Sequence, residues 1–299
     1  MKNLSSRTVG IIQVLLSGIC FGFLGIFGKW AFERGIRPGE LLSFRFLLGG
    51  VLLFVYLCFH NPKKLRVSKK EFLDCALLGI GGYAVFSSCF FEALQGLSVA
   101  LTVLLLFLYP IFVSLGGWLF LGEKISREKF VAIPVSVAGL LFLIWGDFNI
   151  RHSAALWFGL GSAIFYSLYI LYSSHRLKQV EPLVSVTYIQ LCAGLALALV
   201  HWRDPVYIAQ LFMQNFALFF AISFICSICA MGFFLAALRR LYSWEVSIFS
   251  MTEPVIDVLL AFLFLGEILK GMQWVGALLI GAGFVILAWP TRKMVAVVH

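Results

Sequence analysis

The chain consists of long apolar segments that alternate with short loops carrying most of its charge. Each segment has about 20 residues, the length an α-helix needs to cross the hydrocarbon core of a bilayer. Hydrophobic residues make up 62% of the sequence and charged residues only 12%, whereas soluble domains have about 25% charged residues. A water-soluble fold of this size could not bury so much apolar surface. The sequence therefore predicts an all-α membrane protein.

The apolar segments predict ten transmembrane helices, and the loops between them are too short for a soluble or catalytic domain. The predicted spans are residues 9–32, 41–59, 72–95, 98–121, 130–146, 154–174, 183–200, 216–238, 243–265 and 273–289.

Lys and Arg residues are distributed unevenly between the two sets of loops. Of the 23, sixteen lie on one side and five on the other. Because cytoplasmic loops are enriched in Lys and Arg, we expect both termini in the cytoplasm of a bacterial cell and the chain in its inner membrane. The same rule explains the net charge of +9, so no nucleic-acid partner is expected.

The second half of the sequence repeats the first at a constant offset of 144 residues without a gap. Pro110 and Pro254 are equivalent, as are the Phe-Leu-Gly-Glu segments at 120–123 and 264–267. Each repeat has five predicted helices, so the second must enter the membrane from the opposite side. Such inverted repeats occur in many secondary transporters, with the substrate site near the midplane. The predicted domains are residues 1–146 and 147–299.

The segments around the two prolines resemble the paired signature of a known family. Tyr-Pro-Ile-Phe at 109–112 and Thr-Glu-Pro-Val at 252–255 each precede a Phe-Leu-Gly-Glu segment, and this is similar to EamA-type drug/metabolite transporters. The Arg45-Phe46 pair in the second predicted helix also resembles the sequence pattern of that family. The resemblance covers almost the whole chain. It implies a ten-helix fold that transports small metabolites, often in amino-acid export.

Pro110 and Pro254 fall near the middle of the fourth and ninth predicted helices. Proline lacks an N–H and frees the carbonyl one turn earlier, which must be satisfied inside a bilayer by protein, water or ligand. We interpret both prolines as hinges of ligand-facing segments; a passive packing kink is the alternative. Glu123 and Glu267 end the same helices and are expected to be cap residues.

Two carboxylates of the ninth helix are the strongest candidates for chemistry. Glu253 lies roughly 15 Å along the predicted helix, near the midplane, and Asp257 follows at i+4 on the same face. Two acids so close in a low dielectric do not both ionise easily. They could bind an ammonium group or a coupling proton; a structural, hydrogen-bonded pair is the alternative.

Three other ionisable residues lie within predicted helices, where charge is costly and marks a candidate functional group. Lys29, Arg45 and Glu92 each lie within about two turns of the extracytoplasmic end, so their side chains can reach the interface. Lys29 is a candidate contact for a substrate carboxylate. Arg45 is expected to hold helix ends together.

A stripe of small residues follows one face of the first helix, and its repeat equivalents include two tyrosines. The stripe consists of Gly18, Gly22, Gly25 and Lys29, and its equivalents are Ser162, Tyr166, Tyr169 and Ser173. We predict that both stripes border a central cavity, with the tyrosines lining the substrate; ordinary helix packing is the alternative. Tyr83, Phe86 and Tyr109 are further substrate-site candidates, and Ser223 and Ser227 are weaker ones.

These patterns together predict an exporter or exchanger of small polar metabolites, most of all amino acids or related zwitterions, that works by alternating access. The expected partners are the lipid bilayer and a small-molecule substrate, with a proton as a candidate coupling ion; monomer and dimer remain open. A flippase for lipid head groups or an exporter of cationic drugs is the alternative. We expect no enzyme, because HExxH, GxSxG and Walker A motifs are absent. No cofactor or metal is expected, since the CxxC at 226–229 lies in an apolar helix without a second pair.

Overall fold

The computed structural model describes residues 5–123, 130–145, 150–202, 204–265 and 271–288. Within these residues helices are the main secondary structure, joined by short turns and loops, and there is one isolated antiparallel bridge between Leu97 and Ile150. Nine of the described helices are long and apolar enough to cross a bilayer, and one apolar helix is shorter. The chain is thus a multi-pass membrane protein of the all-α class, as predicted.

Ten apolar helices follow one another along the chain, and we label them α1 to α10. They are α1 (Ser6–Glu33), α2 (Pro38–His60), α3 (Lys69–Gly96), α4 (Val99–Leu106 and Tyr109–Leu121), α5 (Ala132–Leu143), α6 (Ala154–Arg176), α7 (Pro182–His201), α8 (Phe216–Leu238), α9 (Ser243–Phe249 and Thr252–Leu265) and α10 (Gly271–Ala288).

Two features differ from the sequence-based prediction. The fifth helix, predicted at 130–146, contains 12 described residues, fewer than a perpendicular crossing needs. A further helix, Pro205–Gln214, occupies the connection between α7 and α8, where only a loop was expected. Asp204 starts this helix by accepting the Val206 N–H at 2.9 Å, and proline fits its first turn.

Helices of the two halves pack against one another in matched pairs. The equivalent helices α2 and α7 contact each other, and so do α5 and α10. In the same way α1 contacts α8 and α9, while its equivalent α6 contacts α3 and α4. Every contact of this set therefore recurs between the equivalent helices of the other half.

The contact between α2 and α7 shows this relationship at the level of single residues. A Cβ on Gly50 would lie 3.0 Å from the Leu191 backbone nitrogen, and a Cβ on Gly194 would lie 2.6 Å from that of Leu47. Gly50 and Gly194 are equivalent in the repeat, and so are Leu47 and Leu191. The missing side chains let the two backbones approach closely, which is how helices associate where lipid removes the hydrophobic driving force.

The first and last described helices meet at one end of the bundle. Arg7, near the start of α1, donates from Nη2 to the carbonyl of Leu287, near the end of α10, at 3.0 Å. Asp74, Glu123, Arg176 and other charged residues of the helix ends lie at this same end. We call it the charged end.

Candidate functional site

A cavity of about 850 Å³ lies between the two halves. Its walls come from α1 to α4 of the first half and from α6, α8 and α9 of the second. It reaches the end of the bundle where α1 ends at Glu33 and α4 begins at Val99, whose side chain is 68% exposed. We call this the open end. Seven of the eight predicted substrate-binding residues line the cavity: Lys29, Tyr83, Phe86, Tyr109, Tyr166, Glu253 and Asp257.

A layer of aromatic rings in tilted and edge-to-face contact closes the deepest part of the cavity. The rings of Tyr166 and Phe86 lie 4.8 Å apart, and so do those of Tyr166 and Tyr109. Tyr169, the eighth predicted residue, does not line the cavity but lies behind this layer, with its ring 5.1 Å from that of Tyr83. These five residues form an aromatic floor that separates the cavity from the charged end.

Both α4 and α9 are interrupted just before a proline. The helical geometry breaks at 107–108 in α4 and at 250–251 in α9, which are equivalent positions to within one residue. Pro110 and Pro254 then lie in the first turn of the second segment, where the missing N–H has no helical acceptor to lose. The prolines thus mark real discontinuities in the helices; a hinge movement there stays a prediction.

The residues directly before the prolines, Tyr109 and Glu253, are equivalent in the repeat and both face the cavity. The Tyr109 hydroxyl donates to the carbonyl of Ser247 at 3.2 Å, which ties α4 to α9. Glu253 is half-buried and interacts electrostatically with Asp257 and with Arg45. Two neighbouring carboxylates repel each other in a low dielectric; binding of a proton or an ammonium group between Glu253 and Asp257 stays a prediction.

Arg45 of α2 is part of the cavity wall and is only 3% exposed. Its guanidinium carbon lies 5.0 Å from the ring centre of Phe46 and 5.9 Å from that of Phe21. Nε donates to Ser227 Oγ at 2.9 Å and Nη2 to the Cys226 carbonyl at 2.8 Å. Arg45 thus joins two helices, α2 and α8, as expected, but it does so inside the bundle and not at the membrane interface.

The glycine stripe of α1 packs mainly against α9. A Cβ on Gly18 would lie 2.9 Å from Thr252 Cβ, and one on Gly22 would lie 2.6 Å from Ile256 Cγ2. Gly18 and Gly22 are buried and are absent from the cavity lining, whereas Gly25 lines it beside the Asp257 carboxylate. Gly18 and Gly22 therefore serve helix packing, the alternative to a role at the cavity. Of the three glycines in the stripe, only Gly25 lines the cavity.

The other predicted residues have separate positions. Lys29 is exposed and lines the cavity toward the open end, and Glu92 is exposed without lining it. Ser223 and Ser227 are fully buried in α8. Glu267 lies outside the described residues.

Contacts between the halves close the charged end. Arg7 and Glu245 form an ion pair of 2.9 Å, and Asp74 and Arg176 one of 3.2 Å. The Glu123 carboxylate accepts hydrogen bonds from the Ser243 N–H at 3.0 Å and from the Ser243 hydroxyl at 2.8 Å. Glu123 therefore caps the start of α9 and not the end of its own helix, α4. Each of these contacts joins a residue of the first half to one of the second. The cavity is therefore open toward one end of the bundle and closed toward the other.

Two π-helical segments were missed by the sequence analysis. Leu78–Ala84 in α3 and Ser223–Cys229 in α8 lie at equivalent positions to within one residue. Such segments are rare and often lie at functional sites. The first carries Tyr83 to the cavity wall, and the second supplies both acceptors of Arg45. The glycines at 79, 81 and 82 were the only sequence feature that could have indicated the first π-helical segment. The second segment contains no glycine.

The arrangement defines a class of protein: a membrane protein whose two similar halves enclose a polar and aromatic cavity open toward one end. The EamA-like transporter family model matches residues 8–145 and again residues 153–289. The chain belongs to the EamA-like transporter family.

Comparisons with known proteins agree with this assignment. The uncharacterized transporter YcbK of Bacillus subtilis is 28% identical, over 98% of this chain and 96% of its own length. A probable amino-acid metabolite efflux pump of Salmonella typhimurium is 27% identical, over 80% of this chain and 84% of its own length. A solved crystal structure with 18% identity superposes with a TM-score of 0.81 and covers 94% of this chain and 97% of that one, which supports the fold. Family and relatives are named as transporters, not enzymes.

Proposed function

We propose that the protein is a secondary transporter that exports small zwitterionic metabolites, most of all amino acids or their close relatives. The observation that carries this proposal is the distribution of charge in the cavity. The first half supplies the cations Lys29 and Arg45, the second half supplies the acids Glu253 and Asp257, and a third acid, Glu33 of the first half, lines the cavity at its open end. None of these five residues has a charged counterpart at the equivalent position of the other half. A substrate carrying both charges matches such a cavity.

The cavity walls suit a cargo with an apolar side chain. Phenylalanine and tyrosine side chains from α1, α3, α4 and α6 line the cavity together with leucine, isoleucine and valine side chains. Apolar walls with a few placed polar groups are typical of sites for small molecules. The efflux pump of Salmonella typhimurium, named for amino-acid metabolites, supports the same class of cargo.

Alternating access supplies the mechanism. With the cavity open toward one end and ion pairs between the halves at the charged end, the structure has the form of one of two exchangeable states. Opening the charged end would break the contacts of Arg7 with Glu245 and of Glu123 with Ser243. Similar contacts forming at the other end would leave the two states close in energy.

We further propose that the halves, residues 1–146 and 147–299, are inverted repeats and that the charged end faces the cytoplasm. The matched contacts of Gly50 and Gly194 support the two-fold relationship. The hydrogen bond between Arg7 and Leu287 supports an even number of crossings, since it brings the start of α1 and the end of α10 together. The open end then faces outward, in the inner membrane of a bacterium.

Cationic drugs and lipid head groups are the alternative cargoes. A purely cationic drug would use the two acids, but Arg45 at the same cavity wall opposes a cargo that has no negative group. We therefore favour the zwitterion.

A metabolite-exchange experiment tests the function. Purified protein is reconstituted in liposomes loaded with an unlabelled mixture of amino acids, polyamines, organic acids and quaternary ammonium drugs. Mass spectrometry then measures which compounds leave when the same mixture, isotopically labelled, is added outside. We expect exchange of zwitterions, and exchange of only cations or only acids would contradict the proposal. Protein-free liposomes provide the background.

A further inference from the structure

Contacts with α1 place Arg45 and Glu253 at a similar depth in the cavity. Arg45 lies over the ring of Phe21 in α1. The segment 18–22 of α1, which contains Phe21, packs against the segment 252–256 of α9, which contains Glu253. Electrostatic interaction between the guanidinium and the Glu253 carboxylate agrees with this placement. A cation and an acid thus face the cavity from different halves at one level.

Lys29 lies at a different level. It follows Phe21 by eight residues along α1, which is about 12 Å nearer the open end. An α-amino acid carries its ammonium and its carboxylate on one carbon atom, so both groups must be bound at one depth. Arg45 and Glu253 can bind the two groups at one level. The side chain of Lys29 would have to extend along α1 toward Glu253 to do the same.

The guanidinium of Arg45 has donors to spare and a fixed orientation. Arginine has five N–H donors in a planar fork, and the bonds to Ser227 and Cys226 use Nε and one N–H of Nη2. A further donor of the guanidinium interacts with the Tyr83 hydroxyl. Two of the five N–H groups are then left for a carboxylate, while α8 and the rings of Phe21 and Phe46 hold the plane of the guanidinium.

Helix packing alone does not require a cation at this position. The repeat equivalent of Arg45 is Ile189 of α7, which is fully buried and whose backbone lies against Gly79 of α3. An apolar side chain thus fills the equivalent place in the other half. Since a buried charge inside the membrane is costly, the arginine has a chemical purpose that isoleucine cannot serve.

We propose that Arg45 is the carboxylate-binding residue of the site and that Glu253 binds the ammonium group of the same substrate. This inference rests on the proposed function and adds to it the residue that selects zwitterions over amines. It assigns the anchoring of the carboxylate to Arg45 instead of Lys29.

Three compounds that share the same phenyl side chain differ in which charged groups they carry, so they test the two groups separately. Phenylalanine carries both groups, phenethylamine lacks the carboxylate, and 3-phenylpropionate lacks the ammonium. Binding of each to purified protein is measured by its effect on the melting temperature in detergent, and by competition with labelled phenylalanine exchange in liposomes. For the wild type we expect phenylalanine to bind at least tenfold more tightly than phenethylamine, the order of magnitude of charge-assisted hydrogen bonds.

Arg45→Lys keeps the charge but loses the fork, and Arg45→Gln loses both. We expect both variants to weaken binding of phenylalanine and 3-phenylpropionate roughly tenfold or more. Phenethylamine should bind to Arg45→Lys as before and to Arg45→Gln at least as tightly, because the repelling charge is gone. Arg240→Gln, which removes an exposed arginine at the charged end, is the matched control and should keep the wild-type preference.

The inference is overturned if folded Arg45 variants still prefer phenylalanine over phenethylamine as the wild type does. It is overturned on the wild type alone, whatever the variants do, if phenethylamine binds as tightly as phenylalanine. If the wild type neither binds nor exchanges phenylalanine, while the metabolite mixture shows exchange of cations or acids only, the proposed function fails as well.

Discussion

Arg7 at the start of α1 and Glu245 at the start of α9 form an ion pair of 2.9 Å between the two halves of the chain. The Glu245 side chain is almost fully buried, and Arg7 also donates to the Leu287 carbonyl of α10 at 3.0 Å. Three helices from both halves are therefore joined at a single point of the charged end. An opening of that end must break this point.

The first prediction concerns this ion pair. Glu245→Gln keeps the acceptor that caps α9 at the Tyr242 N–H but removes the charge facing Arg7. The closed charged end should become less stable by about 1 kcal/mol, since Arg7 is partly exposed and the pair is screened. Hydrogen exchange measured by mass spectrometry should then be several-fold faster in the segment 243–249.

Arg240→Gln serves as the control for the loss of one charge at the same end. Arg240 is exposed, and its hydrogen bond of 3.2 Å to Gln13 of α1 is exposed too, so this contact should contribute little. Its exchange in 243–249 should match the wild type. Equal exchange in Glu245→Gln and wild type would show that the ion pair does not hold the charged end closed.

The second prediction concerns the contact between α1 and α9. A Cβ on Gly22 would lie 2.6 Å from Ile256 and 3.2 Å from the Asp257 nitrogen. Gly22→Ala should therefore push the helices apart and lower stability by about 1–3 kcal/mol, measured as a lower melting temperature in detergent. Transport should fall with it, because Glu253 and Asp257 lie on this part of α9.

Gly281→Ala is the matched control for this substitution. No described atom lies within 4 Å of a Cβ at Gly281, so alanine there should be neutral or stabilise α10 by up to about 1 kcal/mol. If Gly22→Ala and Gly281→Ala melt at the same temperature, the close approach of α1 and α9 is not real.

The third prediction concerns orientation. Sixteen of 23 Lys and Arg residues lie in one set of loops, which we place in the cytoplasm. Alkaline phosphatase fused after His299 should be inactive and green fluorescent protein fused there should fluoresce, because the first requires export and the second requires the cytoplasm. The opposite pair of results would reverse the assigned direction of the cavity.

The repeat register explains why much of the site was predictable. A constant offset of 144 residues aligns Pro110 with Pro254, and a proline within an apolar run restricts the backbone in only a few ways. The aromatic residues Tyr83, Tyr109 and Tyr166 line the cavity as expected. Chain pattern and local backbone chemistry were sufficient for these features.

Features that depend on the partner of a side chain were not predictable. Arg45 was expected near the interface because its distance from the helix end allows that, but the acceptors at Cys226 and Ser227 are 181 and 182 residues away in sequence. Gly18 and Gly22 share a face with Gly25, yet that face points partly to α9 and partly to the cavity. The hydropathy pattern predicts that a residue lies within a transmembrane helix, but it does not predict which residues of other helices contact it.

The most direct test of the whole account is transport by Glu253→Gln. In liposomes with an imposed pH gradient, net transport of phenylalanine should fall at least tenfold, because the substitution removes the carboxylate that we propose binds ammonium or proton inside the membrane. Asp257 lies one turn further along α9. Asp257→Asn should weaken the binding of compounds with an ammonium group more than the binding of 3-phenylpropionate. The melting temperature of each variant shows that it is folded. If both folded variants transport phenylalanine at the wild-type rate, with the wild-type pH dependence and the wild-type preference among the three compounds, the two carboxylates are structural and the central claim is contradicted.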